Sequence, residues 1–225
     1  MDHRVALVAG GGGGLGKAVA ESLHARGLTV VAVDRDPRGL ERLPDEVHRE
    51  VADSTDPSAP GPLVERVASE IGPPDILVNT IGAYELGDTL SITREGLHQL
   101  MDVNLGSALW LTQAVVPHMI EKGSGAIVHT AARQGVEPIS GTALYGVTKA
   151  ALVHLTRTLD LELRPKGIRV NVLLPQLIAT EKNKGLVPPE VLAGAVEPVV
   201  LAEILAFLVD DSSAPVSGAV IPAYG

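Results

Sequence analysis

Residues 5–17 read Val5-Ala6-Leu7-Val8-Ala9-Gly10-Gly11-Gly12-Gly13-Gly14-Leu15-Gly16-Lys17: an apolar run, five consecutive glycines, and the opening of a helical pattern. Each glycine loses about 0.5–1 kcal/mol relative to alanine in regular structure, so five together are a poor choice for a simple turn. Between a strand and a helix, bare amides at the positive helix end suit the close approach of a pyrophosphate. The run satisfies three registers. Gly11, Gly13 and Gly16 fit the long dinucleotide spacing, residues 11–17 fit most of a nucleoside triphosphate loop, and Gly10, Gly14 and Gly16 fit a third glycine spacing. The triphosphate reading fails at Ala18, which stands where a hydroxyl should hold magnesium. A flexible turn is the bland alternative.

Outward from this run, short β-branched segments alternate with helical patterns. Residues 5–9 form a strand, 15–26 an amphipathic helix stopped by Gly27, and 29–33 a second strand ending in Asp34. A short helix at 37–43 leads to a strand at 47–51, then a helix at 63–71 and a strand at 76–79. A long helix over 94–121 is expected to bend at Pro117, because proline removes a helical hydrogen bond. A strand at 126–130, a helix at 144–163 and a strand at 168–173 follow. Residues 175–197, rich in proline and glycine, read as a mobile loop, before a helix at 201–208 and a last strand at 219–221. This alternation predicts an α/β fold: one doubly wound, Rossmann-like domain over residues 1–225, with a seven-stranded parallel sheet covered on both faces.

Composition narrows the function. The 225 residues carry 27 Asp plus Glu against 18 Lys plus Arg, a formal net charge of -9 that repels phosphate backbones and anionic lipid. With 2% aromatic residues there is little to stack on unpaired bases either. Nucleic acid and membrane are therefore excluded as expected partners. Zero cysteines remove thiolate metal sites, disulfides and a cysteine nucleophile, and fit the cytoplasm. The chain opens with neither a signal peptide pattern nor a long apolar run. Its seven histidines show no HExxH spacing and there is no G-x-S-x-G elbow, so neither a metal site nor hydrolase chemistry is expected. His129, inside a strand, reads as a hydrogen-bonded core histidine.

Asp34, closing the second strand, has the position to accept hydrogen bonds from both adenosine ribose hydroxyls and to repel a 2′-phosphate, which favours NAD over NADP. Arg35 partly offsets the repulsion, and Gly13 supplies no second cation. The structural alternative for Asp34 is a cap on the short helix near Pro37. Tyr145 and Lys149, four apart at the start of a helix, project from one face. A cation beside the phenol favours its ionised form, so such a tyrosine is expected to exchange protons nearer neutral pH than a free one.

With these residues in place the chain resembles the short-chain dehydrogenase/reductase family over almost its whole length. Ala9-Gly10, Gly14 and Gly16 are similar to its glycine motif, with Leu15 between them, and Asp53 to its adenine contact. Asn79-Thr80-Ile81-Gly82 resembles its Asn-Asn-Ala-Gly segment, Asn104 its helix-four asparagine, and Tyr145-Gly146-Val147-Thr148-Lys149 its Tyr-x-x-x-Lys element. Pro175 and Thr180 resemble the segment that contacts the nicotinamide carboxamide, although Gln176 stands where Gly is usual. The resemblance implies that Tyr145 is the acid/base, that Lys149 holds the nicotinamide ribose and polarises Tyr145, and that Asn104 helps to order a proton-relay water. It also implies a homotetramer or dimer in which the two long helices meet symmetry mates, and Leu105, Leu109 and Leu152 are compatible with that.

One member of the pattern is missing. The family serine lies 13 residues before the tyrosine, and here that position is Ala132. Loss of a donor aimed at a developing oxyanion typically costs about 10²–10³ in rate. Thr130 shares a strand face with Ala132 but should lie about 7 Å deeper; Ser140, Arg133 and Gln134 are the other candidate substitutes. Tyr-x-x-x-Lys without the serine also resembles dihydropteridine reductases, whose quinonoid substrate is already electrophilic. The resulting expectation is an NAD(H)-dependent oxidoreductase acting on a small carbonyl, alcohol or quinonoid compound, with pre-activated substrates preferred over simple ketones. The alternative is a dinucleotide-binding protein with a non-redox, regulatory or scaffold role.

Overall fold

A computed structural model describes residues 4–185 and 187–225. Seven parallel strands, β1 (Val5–Ala9), β2 (Thr29–Asp34), β3 (His48–Val51), β4 (Pro74–Asn79), β5 (Gly125–Thr130), β6 (Ile168–Pro175) and β7 (Val220–Ala223), lie in the order β3-β2-β1-β4-β5-β6-β7. The predicted doubly wound, seven-stranded sheet is what the chain builds. The chain winds outward in opposite directions from β1 and β4, so the crevice beyond their carboxyl ends is where such sheets receive ligands.

Successive residues of a strand point to opposite faces, and both faces are covered. On one, α1 (Gly14–Ala25) and α9 (Pro198–Val209) pack Val19, Leu23, Leu201 and Leu205 against Ala6, Val8, Val30 and Val128. On the other, α3 (Pro60–Glu70) and α5 (Ser107–Lys122) pack Leu63, Val67, Leu111 and Met119 against Leu7, Val31, Leu77 and Ile127. The helix α6 (Ala143–Leu163) covers β6 with Leu152 and Val153 on Val172 and Leu174. Leu152 is fully buried there, so it faces the sheet and is not free to meet a symmetry mate; Leu105 packs partly into the same cluster. Among the described residues no helix is long and apolar enough to cross a membrane.

Two expectations are corrected. The long helix over 94–121 is interrupted not at Pro117 but at a π-helical turn, Asp102–Gly106, between α4 (Arg94–Met101) and α5. The wide turn carries Asn104 into the interior, where its amide finds three polar partners; those bonds stabilise a turn that propensity alone disfavours. Pro117 sits within α5 on its exposed side, where water can satisfy the carbonyl the proline leaves unpaired. Residues 175–197 are not a structureless loop. They carry two single-turn helices, α7 (Glu181–Lys184) and α8 (Pro189–Leu192), with α2 (Pro37–Leu40) a third such turn elsewhere. A bridge between Ile178 and Val196 closes the excursion, with Ala179 N donating to Val196 O and Val196 N to Leu177 O, both at 2.9 Å. Leu186 lies outside the described residues.

Candidate active site

The glycine run forms the turn from β1 into α1. Gly10 has φ +76°, a conformation L side chains rarely adopt, and both Gly10 N and Gly11 N donate to Val33 O at 2.9 and 3.0 Å. A Cβ on Gly16 would lie 2.0 Å from Gly10 O, so only glycine lets α1 sit this close to the turn. A Cβ on Gly14 would meet Thr180 at 2.7 Å, whereas Gly13, required only by the long register, is the least crowded of the five. Gly13 is the N-cap residue, and the first helical bond runs from Lys17 N to Gly13 O. The amides of Gly14, Leu15 and Gly16 therefore precede the hydrogen-bond ladder at the positive end of α1, with the Leu15 side chain buried beneath them.

Beside this turn a cavity of about 550 Å³ is lined by Gly12, Gly13, Asp34, Asp36, Arg38, Gly39 and Arg42. Asp34 accepts from Gly12 N through Oδ2 and from Asp36 N through Oδ1, each at 3.0 Å. The cap on α2 is Asp36, which accepts from Arg38 N, so the capping explanation of Asp34 does not hold. Sequence reasoning missed the two cations: Arg42 donates to Gly12 O at 2.8 Å, and Arg38 pairs with Asp36 at 2.9 Å. Asp53 lies exposed just past β3 and does not line the cavity. Thr55 donates to it through N and Oγ1, holding its carboxyl below the usual range.

The cavity and the chemistry-bearing residues share the carboxyl edge of the sheet. Asn79, buried at the end of β4, accepts from Ile81 N at 3.0 Å, and Thr80 Oγ1 donates to Ala9 O at 2.8 Å, which fastens residues 79–82 to β1. Gly82 comes so close to the helix α6 that a Cβ there would stand 3.0 Å from Lys149 Nζ and 3.4 Å from Asn104 Oδ1. Asn104 is fully buried; it accepts from Ala83 N at 2.8 Å and donates to Ala83 O and Thr148 Oγ1, both at 3.0 Å. Its side chain thus positions the loop after β4.

Lys149 is buried, donates to Thr130 O at 3.0 Å, and stands 5.9 Å from the Tyr145 ring centre. Loss of water pulls Lys149 down to about 8. Burial also pushes the Tyr145 phenol above its ordinary value, and the neighbouring Tyr84 adds to that. The expected lowering of Tyr145 by Lys149 is absent here, because the ammonium is directed at the Thr130 carbonyl and desolvation dominates at the phenol. Tyr84, which sequence reasoning passed over, meets Tyr145 edge to face with ring centres 4.8 Å apart. Its signal was a tyrosine two residues beyond Gly82 in a chain with only three.

Ala132 follows β5 in extended conformation, buried, its carbonyl accepting from Gly135 N at 2.9 Å. Of its candidate substitutes, Thr130 is buried with Oγ1 unpartnered among the described residues. Gln134 lines a cleft with Ala143, Gly146 and Val147, on a different face of α6 from Tyr145 and Lys149. Ser140 is exposed. Arg133 is committed elsewhere: it donates to Gln176 Oε1 at 2.9 Å and Glu137 Oε2 at 2.6 Å and lies over the Tyr224 ring. Pro175 ends β6, buried, and Thr180 caps α7 by accepting from Asn183 N. His129 is fully buried and held near 4; among the described residues only its Nε2 approaches a partner, Thr112 Oγ1 at 3.4 Å. Among the described residues no three His, Cys, Asp or Glu side chains converge on a metal position.

The family described as short chain dehydrogenase matches residues 4–190. The chain is 29% identical to meso-2,3-butanediol dehydrogenase of Serratia marcescens, covering 100% of this chain and 94% of that protein. It is 30% identical to 3-oxoacyl-(acyl-carrier-protein) reductase FabG of Escherichia coli strain K12, covering 100% and 97%. Among solved structures, a putative NAD(P)-dependent gluconate 5-dehydrogenase from Beutenbergia cavernae with bound NADP superposes with a TM-score of 0.88 at 28% identity, over 97% of this chain and 94% of that one. The match over most of the chain and the shared fold lead to one conclusion: this chain belongs to the short chain dehydrogenase family of oxidoreductases.

Proposed function

We propose that the protein transfers hydride between NAD(H) and a small carbonyl, alcohol or quinonoid compound, with Tyr145 exchanging the proton. The observation that carries this reading is the convergence of Tyr145, Lys149, Asn104 and Gly82 at the sheet edge that also holds the glycine turn. The turn fits a dinucleotide on its own geometry: a side chain at Gly14 or Gly16 would collide, and the first amides of α1 stand at its positive end. The residues that would hold the cofactor are Gly10, Gly13, Gly14, Leu15 and Gly16 at the phosphates, Asp34 at the adenosine ribose, Asp53 toward the adenine, and Asn79, Gly82, Pro175 and Thr180 toward the nicotinamide. Bound there, the nicotinamide supplies or accepts the hydride.

The chain's own groups handle the proton. In the reducing direction Tyr145, kept protonated by its surroundings, gives its phenolic proton to the forming alkoxide; in the reverse direction the phenolate takes it back. Lys149 holds the ribose and, as a cation, stabilises the phenolate that forms. Asn104 acts as a positioning residue through Ala83. The preference for NAD rests on Asp34 at the cavity wall; of the two nearby cations, Arg38 is paired with Asp36 and the Arg42 guanidinium is turned onto Gly12 O. A role without redox turnover is not favoured, because the named relatives are a dehydrogenase and a reductase that the chain matches end to end.

The test is to follow reduced-nicotinamide absorbance while the protein is mixed with NADH or NAD and a panel of ketones, diketones, quinones and secondary alcohols. Turnover of at least one class is expected, and none across the panel with either NAD(H) or NADP(H) would overturn the reading.

A further inference from the structure

We propose that Tyr84 is a second catalytic phenol, donating its hydroxyl to the substrate oxygen in the place left by Ala132. This rests on the reading above, in which Tyr145 supplies the transferred proton.

The problem is a missing donor. A carbonyl oxygen that gains negative charge is stabilised by each preorganised donor aimed at it. Ala132 offers a methyl group; Gln134 faces another cleft, Arg133 is bound to Glu137 and Gln176, and Thr130 lies below in the strand. Tyr84 is the one other phenol beside Tyr145. Their ring centres are 4.8 Å apart, inclined at 72°. An oxygen accepting two O–H bonds of about 2.7 Å holds its donors about 4.5 Å apart, of the same order as the 4.8 Å between the two edge-to-face ring centres.

Tyr84 is also built into place. Its neighbour Ala83 is gripped through both N–H and C=O by the buried amide of Asn104. Further along, Gly87 N donates to Gly141 O at 2.9 Å and Leu86 packs on Gly141, which ties the loop to the segment leading into α6. Tyr84 is 58% exposed, so core packing does not account for a tyrosine here, and its ring rests on that of Tyr145. Asn104 therefore gains a specific purpose, that of aiming the Tyr84 loop at Tyr145.

The step balances without a further reactant. As hydride bonds to the carbonyl carbon, the C=O π pair moves to oxygen, oxygen takes the Tyr145 proton, and Tyr84 keeps its own throughout. The expectation that pre-activated substrates are preferred over simple ketones no longer follows, since a plain ketone would find two donors.

The experiment compares wild type, Tyr84→Phe, Ala132→Ser and the double variant, using cyclohexanone and NADH. Tyr84→Phe retains the ring and its packing, so the fold is preserved. It should lower kcat about 10- to 100-fold with NADH affinity unchanged. Adding Ala132→Ser should recover most of that loss, while Ala132→Ser alone should change little. A second readout is the infrared stretch of carbonyl-labelled cyclohexanone bound with NAD: it should rise in Tyr84→Phe and fall back in the double variant. Wild-type turnover that survives Tyr84→Phe, or an unshifted stretch, overturns this proposal alone. Absence of wild-type turnover on the whole panel overturns the parent reading instead.

Discussion

Titration of Lys149 should move the stability and the activity of the wild type in opposite directions across the same pH window, and Lys149→Met should remove the stability trend. Burial lowers Lys149 from 10.5 to about 8, which corresponds to about 3 kcal/mol of penalty for keeping the ammonium out of water. The sign follows from proton counting: between these values the unfolded chain binds the proton and the folded chain does not, so stability rises with pH. Wild type should gain about 2 to 3 kcal/mol between pH 7 and 10, and Lys149→Met should lack that gain. At pH 7 the variant escapes the penalty but leaves the Thr130 carbonyl without its donor, a loss of about 1–3 kcal/mol, so the two proteins should be similar there. Activity behaves oppositely. As Lys149 loses its proton near pH 8, support for the Tyr145 phenolate disappears and wild-type turnover should decline. Urea unfolding followed by the single tryptophan, Trp110 in α5, at several pH values gives the stability difference, and comparison with the variant cancels every other titrating group. Parallel stability curves for the two proteins would refute the reasoning.

His129 should make the protein acid-sensitive: its value falls from 6.5 to about 4, so stability present above pH 6.5 is lost as pH drops through 4, by about 3 kcal/mol in all. The pH dependence of urea midpoints should flatten in His129→Asn, and an unchanged slope would contradict this. NADH should bind more tightly than NADPH in a fluorescence titration, and Asp34→Ala should narrow the gap by removing both repulsion and ribose contacts. Equal wild-type affinities would remove Asp34 from the selection of cofactor.

The alternation of apolar strands and helices was legible because the central strands are buried on both faces; β1 and β4, with every residue buried, are plain examples, while the edge strand β3 is largely exposed. The break at Asn104 was not legible: it is stabilised by Ala83 and Thr148, which are distant in sequence, and local periodicity runs straight through it. Residues 175–197 were misread because α7 and α8 are too short to show a helical period. Gly10, Gly14 and Gly16 could be picked out by spacing, but only the backbone separations explain them. Arg38, Arg42 and Tyr84 belong to no spacing motif. They reach the site through tertiary packing, as does the desolvation that keeps Tyr145 protonated and brings Lys149 toward neutrality.

The most direct test of the account is Tyr145→Phe, measured for turnover and for NADH binding in the same preparation. The substitution removes one transferable proton and little else, so turnover of every substrate found for wild type should fall by about 10²–10⁴ while NADH affinity stays within about twofold, since the proposed hold on the ribose is assigned to Lys149 and not to the phenol. Turnover equal to wild type would contradict the assignment of Tyr145 as the acid/base.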